Sequence, residues 1–439
     1  MEREYNWSWV ESRVVQTIQL WESCASRAPL TGPLYSEQEQ QRREAAYEDG
    51  LRAVERKAKR AHSSPAERLR AQQRIIAVFP RFASIALGLD ERAIELLTDC
   101  FIPAGTTVAR WASRFDPSLG MADIVQACRN AWTACGMQPL LGDTVTITPS
   151  ILGYSLLYPY SDNYLDQQSF TRADKLEFSR RFRDRLRGVL ISPKNHHEAA
   201  TWAMVQLIEE LYPRLQYPRV YESLLAIHRA QEDSIAQLTG CGSMTDLELL
   251  RVSCAKGGTS VLAEACLSHG HLTDSESRFA FDWGVLLQLG DDLQDVHDDL
   301  QRGSDTLFTR AAQARIPLDG LVLQLLSFSD KVAEQMDSLP NGEAFLKDLL
   351  RMSWRSLIYM AVANASELFT PTFLAELEPR SQFRFCFLRE KRKRFNGRRD
   401  LYRTIFEAFM EAGEDDFRNM PDPESWMQRA GESTAEAVA

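Results

Sequence analysis

Five aspartates occupy nine positions within the segment Leu289-Gly290-Asp291-Asp292-Leu293-Gln294-Asp295-Val296-His297-Asp298-Asp299. The segment before it reads as a buried apolar helix. At 3.6 residues per turn, Asp291, Asp295 and Asp299 fall on one stripe, with Asp292 beside them. Carboxylates crowded at the end of an apolar helix cost free energy unless a cation neutralises them. The stretch therefore predicts a site for a divalent hard cation, which takes oxygen ligands, and a solvated acidic helix end is the alternative.

A second acidic pair supports the metal interpretation. The segment Asp162-Asn163-Tyr164-Leu165-Asp166 also places two carboxylates at i,i+4 after an apolar approach. Two such pairs on separate, facing helices would hold a small cluster of Mg²⁺ ions, and these would bind a phosphate-rich substrate. The predicted metal ligands are Asp162, Asp166, Asp291, Asp292 and Asp295, and all of them except Asp292 are also the predicted catalytic residues.

Composition limits the class of protein. The chain has 439 residues, of which 44% are hydrophobic and 26% are charged, as in soluble globular proteins. No run approaches the ~20 apolar residues of a membrane span, and the first residues lack the hydrophobic region of a secretory signal, so we expect a cytoplasmic protein. The net charge of −10 argues against nucleic-acid binding. The eight cysteines form no CxxC pair and the histidines show no zinc spacing, so reduced thiols are expected.

Helical periodicity runs through almost the whole chain, and the predicted fold class is all-α. The one β-like stretch, Thr144 to Thr148, ends at Pro149 and is interpreted as an extended lead-in to a helix. Three regions are expected: an N-terminal helical segment at 1–115, a catalytic helical bundle at 116–375, and a basic C-terminal helix with a disordered tail at 376–439. The basic residues from Arg384 to Arg403 fit a solvated helix and loop better than an anionic-surface patch.

Three basic residues are candidates for contacting a phosphate group bound near the acids. Lys256 precedes Gly257 and Gly258, and two glycines inside a helical pattern suggest a break or the close approach of a ligand. Tight helix packing at the glycines is the structural alternative. Arg302 follows the acidic stretch by one turn and could close on a diphosphate, or offset Asp299 as an i,i+3 partner. Arg251 is a third candidate.

These motifs resemble those of the class I isoprenoid synthases, over about residues 149–370. The segment from Gln288 to Asp295 resembles the second aspartate-rich motif of trans-prenyl diphosphate synthases, and Asp162 to Asp166 resembles the first. The Lys256-Gly257-Gly258-Thr259 segment is similar to their diphosphate contact, and Gly303 with Asp305-Thr306-Leu307 to the segment that follows their second motif. The resemblance implies a helical bundle around a central apolar cavity, Mg²⁺ as cofactor and an allylic prenyl diphosphate as substrate, and it allows a homodimer.

Departures from the family pattern favour one activity. The segments that hold isopentenyl diphosphate in prenyl synthases are missing, and Asp291 with Asp295 replaces the Asn/Ser/Glu triad of microbial terpene cyclases. The chain is thus similar to a bacterial-type terpene synthase with prenyl-synthase-like metal motifs. We expect cyclisation of a linear prenyl diphosphate; the alternatives are a prenyltransferase that joins two prenyl units and an inactive helical scaffold. The expected wall of the cavity includes Tyr154, Tyr158, Gln288 and Trp283, with Phe279 and Phe281 as further aromatic candidates.

Overall fold

Helices account for the regular secondary structure of the described chain. The computed structural model describes residues 8–27, 29–58, 64–166, 171–239 and 244–396, with scattered positions from 403 to 426. No β-strand occurs in these residues, so the predicted all-α class is confirmed for this part of the chain. Among the same residues, no helix combines the length and apolar character needed to cross a membrane.

The first half of the chain forms ten helices in the described ranges. They are α1 (Ser8–Ser23), α2 (Glu37–Ala58), α3 (Pro65–Ile76), α4 (Phe79–Phe82), α5 (Glu91–Leu96), α6 (Ile102–Phe115), α7 (Met121–Leu140), α8 (Pro149–Asp166), α9 (Arg172–Leu186) and α10 (His196–Leu211). Short π-helical segments follow α4 and α5, at Ala83–Leu87 and Leu97–Phe101.

The second half continues the helical pattern. It contains α11 (Pro218–Thr239), α12 (Asp246–His269), α13 (Asp274–Gln294), α14 (Val296–Arg302), α15 (Leu307–Gln313), α16 (Asp319–Ser338), α17 (Ala344–Asn364), α18 (Pro371–Leu377) and α19 (Phe385–Asn396). Single 3₁₀ turns lie at Ser366–Leu368 and Glu378–Arg380.

Helices α12 and α13 form the centre of the bundle. Helix α12 packs against α7, α8, α11 and α13, whereas α13 packs against α12, α16 and α17. A surface helix buries one stripe, but a helix that is buried around most of its circumference belongs to the core. Helix α12 is of this second kind, because buried residues follow one another from Val261 to Leu267. Both helices also carry buried polar residues, among them Ser253 on α12 and Asp292 on α13.

Local sequence signals set where the two central helices begin. Thr245 caps α12 by accepting a hydrogen bond from the backbone of Glu248, while the Glu248 carboxylate accepts from the Thr245 backbone. Thr273 and Glu276 form the same reciprocal pair at the start of α13. Such capping boxes satisfy backbone donors that have no partner inside the helix. They hold the register of both helices and hence the positions of the acids further along α13.

The β-like stretch of the sequence forms no strand. Residues 143–148 have no regular secondary structure, and α8 begins at Pro149. The side-chain amide of Gln138 replaces a strand partner: its Nε2 donates to the carbonyl of Thr146 at 3.0 Å, and its Oε1 accepts from the Thr146 backbone at 3.0 Å. Buried backbone groups need hydrogen-bond partners, and this clamp supplies them without a sheet.

Helix α1 belongs to the bundle even though it is distant in sequence. It packs against α12, α13 and α16. Arg13 pairs with Asp274 at the start of α13, and the hydroxyl of Thr17 donates to the buried carboxylate of Asp282. The N-terminal helix therefore closes one side of the central pair.

Described positions of the C-terminal region contact α6 and α10. Although the sequence predicts disorder after Pro421, Trp426 is buried, and its indole donates to the carbonyl of Ala203 in α10 at 3.1 Å. The carbonyl of Pro421 accepts from the indole of Trp111 at 2.9 Å. At these described positions, the tail is held against α6 and α10.

Candidate functional site

The contact between α12 and α13 is made by glycines. A β-carbon on Gly257 would lie 2.5 Å from the carbonyl oxygen of Gly284, and one on Gly258 would meet the ring of Phe281. Helix α12 continues without a break through both glycines. The interpretation of Gly257 and Gly258 as a break or a ligand contact is therefore wrong, and tight helix packing is correct. This close approach brings the Lys256 backbone next to the acidic end of α13.

The acids at the end of α13 remain on one stripe. The helix ends at Gln294 and α14 begins at Val296, but the backbone hydrogen bonds continue through the boundary. The backbone of Asp295 donates to the carbonyl of Asp291 at 2.9 Å, and that of Asp299 donates to the carbonyl of Asp295 at 2.9 Å. The i,i+4 spacing that the sequence predicts for these three residues is kept.

Asp291 has an unfavourable environment for a negative charge. Its side chain is open to solvent, yet it lies in a recess with protein on most sides. Loss of hydration and the nearby charge of Asp295 raise its pKa, whereas Arg129 and Lys256 act in the opposite direction. Burial and the charge of Asp295 also raise the pKa of Asp299 to about 6. A cation placed among these carboxylates would relieve their repulsion.

Asp292 has a different environment from the rest of the stripe. It is buried; its Oδ1 accepts from Gln288 Nε2 at 2.7 Å, and its Oδ2 accepts from Ser253 Oγ at 3.0 Å. Burial raises the pKa of Asp292 to about 7. Both oxygens are thus engaged towards α12 and Gln288, and this carboxyl does not line the cavity described below. This placement argues against the predicted role of Asp292 as a metal ligand. Its hydrogen bond with Ser253 links α13 to α12.

A small cavity lies between five helices and includes residues of both acid-bearing helices. We call it the central cavity; its volume is about 110 Å³. Its lining comes from α8, α9, α11, α12 and α13: Tyr154, Leu157, Ser161, Phe182, Leu186, Leu224, Ile227, His228, Gln231, Lys256, Ser260, Gln288 and Asp291. Ser161 directly precedes Asp162. The side chains of Asp162, Asp166 and Tyr158 lie outside the described residues, although the backbone of α8 extends to Asp166.

A second pocket lies on the other side of Asp291. This tryptophan pocket has a volume of about 380 Å³, and Trp132, Trp283 and Trp354 line it together with Arg129. The rings of Trp283 and Trp354 are 5.7 Å apart, and the indole nitrogen of Trp283 is buried without a hydrogen-bond partner among the described residues. Ligand pockets typically measure ~300–1,000 Å³, so this pocket has room for a ligand whereas the central cavity has little.

The residues predicted to form the cavity wall do not all line the same pocket. Tyr154 and Gln288 line the central cavity, whereas Trp283 lines the tryptophan pocket. Phe279 and Phe281 are fully buried and line neither of these two pockets. In each case the side of the helix on which the residue lies decides the outcome.

The three predicted diphosphate ligands also separate. Lys256 lines the central cavity beside Asp291. Arg251 is exposed and pairs with Glu11 of α1, so it is directed away from the cavity. Arg302 is exposed at the end of α14, where its charge lowers the pKa of Asp299, as its alternative interpretation proposed. Of the three, Lys256 alone borders the central cavity.

Sequence reasoning did not single out His228, a buried residue of α11 that lines the central cavity. Its Nε2 lies 3.1 Å from the carbonyl oxygen of Ser179, an atom that only accepts, so Nε2 carries the proton. Burial lowers the pKa of His228, and the neutral ring then has an unprotonated Nδ1. A single histidine in an apolar helix has no sequence signal that separates it from a core residue.

Within the described side chains, no group of three or more histidine, cysteine, aspartate or glutamate residues is arranged to hold a metal ion. Comparisons with protein-family models, with curated proteins and with solved structures find no match to this chain.

Proposed function

We propose that this chain is a Mg²⁺-dependent class I isoprenoid synthase of the terpene synthase type, which ionises a linear allylic prenyl diphosphate and converts the cation to a terpene. The observation that carries the proposal is the central cavity, which is bordered by Asp291 of α13, by Lys256 of α12 and by Ser161, next to Asp162 on α8. The two acid-bearing helices thus contribute to one cavity, as two-motif metal binding requires.

The carboxylates of the acidic stripe repel one another, and a bound divalent cation would neutralise this repulsion. Burial is the main cause of the raised pKa values of Asp291 and Asp299, the charge of Asp295 adds to it, and the nearby lysine and arginines do not restore the usual pKa. Asp291 and Asp295, with Asp162 and Asp166 from α8, would hold Mg²⁺ through oxygen ligands. Bound Mg²⁺ supplies neutralisation of the charge that develops on a departing diphosphate.

The chain's own residues bind and orient the substrate. Lys256 donates hydrogen bonds to the diphosphate oxygens, which acquire negative charge as the C–O bond breaks. Leu157, Phe182 and Leu224 surround the cavity with apolar surface and keep water away from the allylic cation. Aromatic faces stabilise such a cation without reacting with it.

His228 is suited to end the reaction. A carbocation loses a proton from the carbon next to the cationic centre; the C–H electron pair becomes a double bond and the proton passes to a base. The Nδ1 of His228 is that base in our proposal, because the ring lines the cavity and its Nε2 proton is donated to Ser179. Glu232, 3.6 Å from Nε2, would stabilise the resulting imidazolium.

One observation favours a prenyltransferase as the second candidate. Asp291 borders the central cavity and the tryptophan pocket, so a diphosphate held there would have apolar space on both sides. Two prenyl chains, one in each space, could then be joined. The central cavity, with a volume of about 110 Å³, is too small for a prenyl chain. Either activity therefore requires the cavity to widen when substrate binds.

The test is a product screen on the full chain with Mg²⁺. Geranyl, farnesyl, geranylgeranyl and geranylfarnesyl diphosphates are supplied singly, with and without isopentenyl diphosphate, and diphosphate release and hydrocarbon products are measured. The cyclase gives terpenes from one substrate alone. A requirement for the second substrate identifies the prenyltransferase. Absence of diphosphate release from every substrate, with and without Mg²⁺, contradicts both and leaves an inactive helical scaffold.

A further inference from the structure

The largest cavity we describe lies between α2, α17 and α19, and no aspartate of the acidic stripe lines it. We call it the lateral pocket; its volume is about 1240 Å³, beyond the ~300–1,000 Å³ typical of ligand pockets. It adjoins the tryptophan pocket, because Gln294, Ser353 and Leu357 border both. Neither the acidic motifs nor the proposed reaction uses this space.

Apolar side chains form one part of its lining. The rings of Phe383 and Phe387 stack, with centroids 5.5 Å apart, and Tyr47 meets both edge-on at 5.8 and 5.6 Å. Met352 and Met360 add flexible thioether chains. Methionine adapts to irregular apolar ligands, and aromatic rings offer a large contact area. This lining suits a long hydrocarbon chain.

Cations form the other part. Six basic side chains line the pocket: Arg351, Arg355, Arg380, Lys391, Arg392 and Arg394. Four of them are paired with acids: Arg351 with Asp337 and Asp348, Arg355 with Asp330, Lys391 with Glu48, and Arg394 with Glu48 and Glu390. These four are largely neutralised and hold the walls in place.

Arg380 and Arg392 are different. Arg380 donates from Nη1 to the carbonyl of Gly32 at 3.2 Å, while its Nε is buried without a partner among the described residues. A buried donor without an acceptor is unfavourable, so a ligand oxygen that reaches this guanidinium group would be stabilising. Arg392 forms no ion pair with any other described side chain. Two guanidinium groups therefore have donors left for an anion.

We infer that the lateral pocket binds a long-chain amphiphile with an anionic phosphate or carboxylate head group. The chain lies on Tyr47, Phe387 and Met360, and the head group accepts hydrogen bonds from Arg380 and Arg392. Guanidinium groups bind both anions through paired N–H donors, which is why the two head groups share this chemistry. The inference does not depend on the proposed reaction, because none of these residues borders the central cavity.

Binding to the full-length chain is measured by calorimetry, below the micelle concentration, with dodecyl phosphate, laurate, dodecanol and inorganic phosphate. Dodecyl phosphate or laurate binds, and the tighter of the two identifies the head group. Dodecanol and inorganic phosphate bind at least about tenfold more weakly, since each lacks one half of the interaction and 1.4 kcal/mol is tenfold. Equal binding of dodecanol overturns the role of the arginines.

Amino-acid substitutions test whether the amphiphile binds in the lateral pocket. Arg380→Gln and Arg392→Gln each weaken binding of the anionic amphiphile, and Ser356→Trp, at an exposed position of α17 that lines the pocket, blocks it. Arg187→Gln, at an exposed position outside the pocket, is the matched control, and Asp291→Asn leaves binding unchanged. Unchanged binding in Ser356→Trp overturns the inference by placing the ligand elsewhere. Absence of binding to the unaltered chain also overturns it and leaves the pocket to the chain's own residues.

Discussion

Gly257 and Gly284 meet backbone to backbone where α12 crosses α13, and a β-carbon on Gly257 would lie 2.5 Å from the Gly284 carbonyl oxygen. This contact sets the distance between the helix that carries Lys256 and the helix that carries Asp291. Side chains at the crossing would separate the helices and displace both residues.

We therefore expect Gly257→Ala to lower the free energy of unfolding by at least ~1–3 kcal/mol, the usual cost of overpacking. Gly290→Ala on the same helix as Gly284 is the matched control, because no atom lies within 4 Å of its added β-carbon. It should stabilise the helix by ~0.5–1 kcal/mol. Urea unfolding followed by circular dichroism measures both; equal stability of the two variants would contradict the packing argument.

Asp291→Asn should weaken Mg²⁺ binding by at least about tenfold, or 1.4 kcal/mol, because it removes a carboxylate from the cavity. Asp298→Asn removes the same charge from an exposed position of α14 that is off the stripe and should leave binding unchanged. Thermal unfolding at increasing Mg²⁺ concentrations measures the difference. Equal losses in the two variants would mean that Mg²⁺ responds to net charge and not to a defined site.

Lys256→Gln should lower the rate of diphosphate release by about 10²-fold, as loss of one donor to a developing anion typically does. Arg251→Gln is the control, since its partner is Glu11 on the outside of the bundle. Release of diphosphate from a single prenyl substrate is the measurement. If Arg251→Gln were the slower variant, the diphosphate would lie on the α1 side of α12.

His228→Gln should leave diphosphate release within about threefold of the unaltered enzyme and change the products, because ionisation precedes loss of the proton. The expected products are alcohols, formed when water takes the place of the base, or alkenes with the double bond moved. Gas chromatography with mass spectrometry measures the ratio. An unchanged product mixture at normal turnover would exclude His228 as the base while leaving the proposed function intact.

Glu264 provides a test of pH dependence away from the site. It is buried in α12, its Oε2 has no partner among the described residues, and burial raises its pKa well above the usual value. The folded state therefore favours the protonated form. Its contribution to stability is complete below the unfolded pKa of about 4.3 and is lost as the pH rises through the folded pKa.

Glu264→Gln should consequently be more stable than the unaltered chain near pH 8, by about 1.4 kcal/mol for each unit by which folding raises the pKa. The advantage should disappear below pH 4. Glu95→Gln, at an exposed position of α5, is the control and should show no such pH dependence. Urea unfolding from pH 4 to pH 8 gives the comparison. A flat difference between Glu264→Gln and the parent would show that folding does not raise the pKa of Glu264.

Much of the helical framework could be predicted from local pattern. Three features depend on residues that are neighbours along the chain: the helix that contains Asp291, the non-helical segment before Pro149 and the capped helix starts. Such features are local, because apolar spacing and capping act within a few residues. The spacing of Asp291, Asp295 and Asp299 follows from the same periodicity.

The identity of the residues that face the cavity could not be predicted in the same way. Asp291 and Asp292 are neighbours in sequence, yet one borders the central cavity and the other is hydrogen-bonded to Ser253 inside the helix pair. Arg251 and Lys256 lie little more than one turn apart on α12 but point to different partners. A helix presents residues in all directions, and the packing of its neighbours decides which of them become buried.

The sequence by itself determined the all-helical class of the described chain, the acidic stripe and the positions at which the central helices begin. Tertiary structure alone decided that Gly257 packs against Gly284, that Lys256 and Asp291 share a cavity, and that His228 lines it. This difference arises because the interactions act over different distances along the chain. Helix formation depends on contacts a few residues apart, whereas a cavity forms where helices distant in sequence fail to fill the space between them.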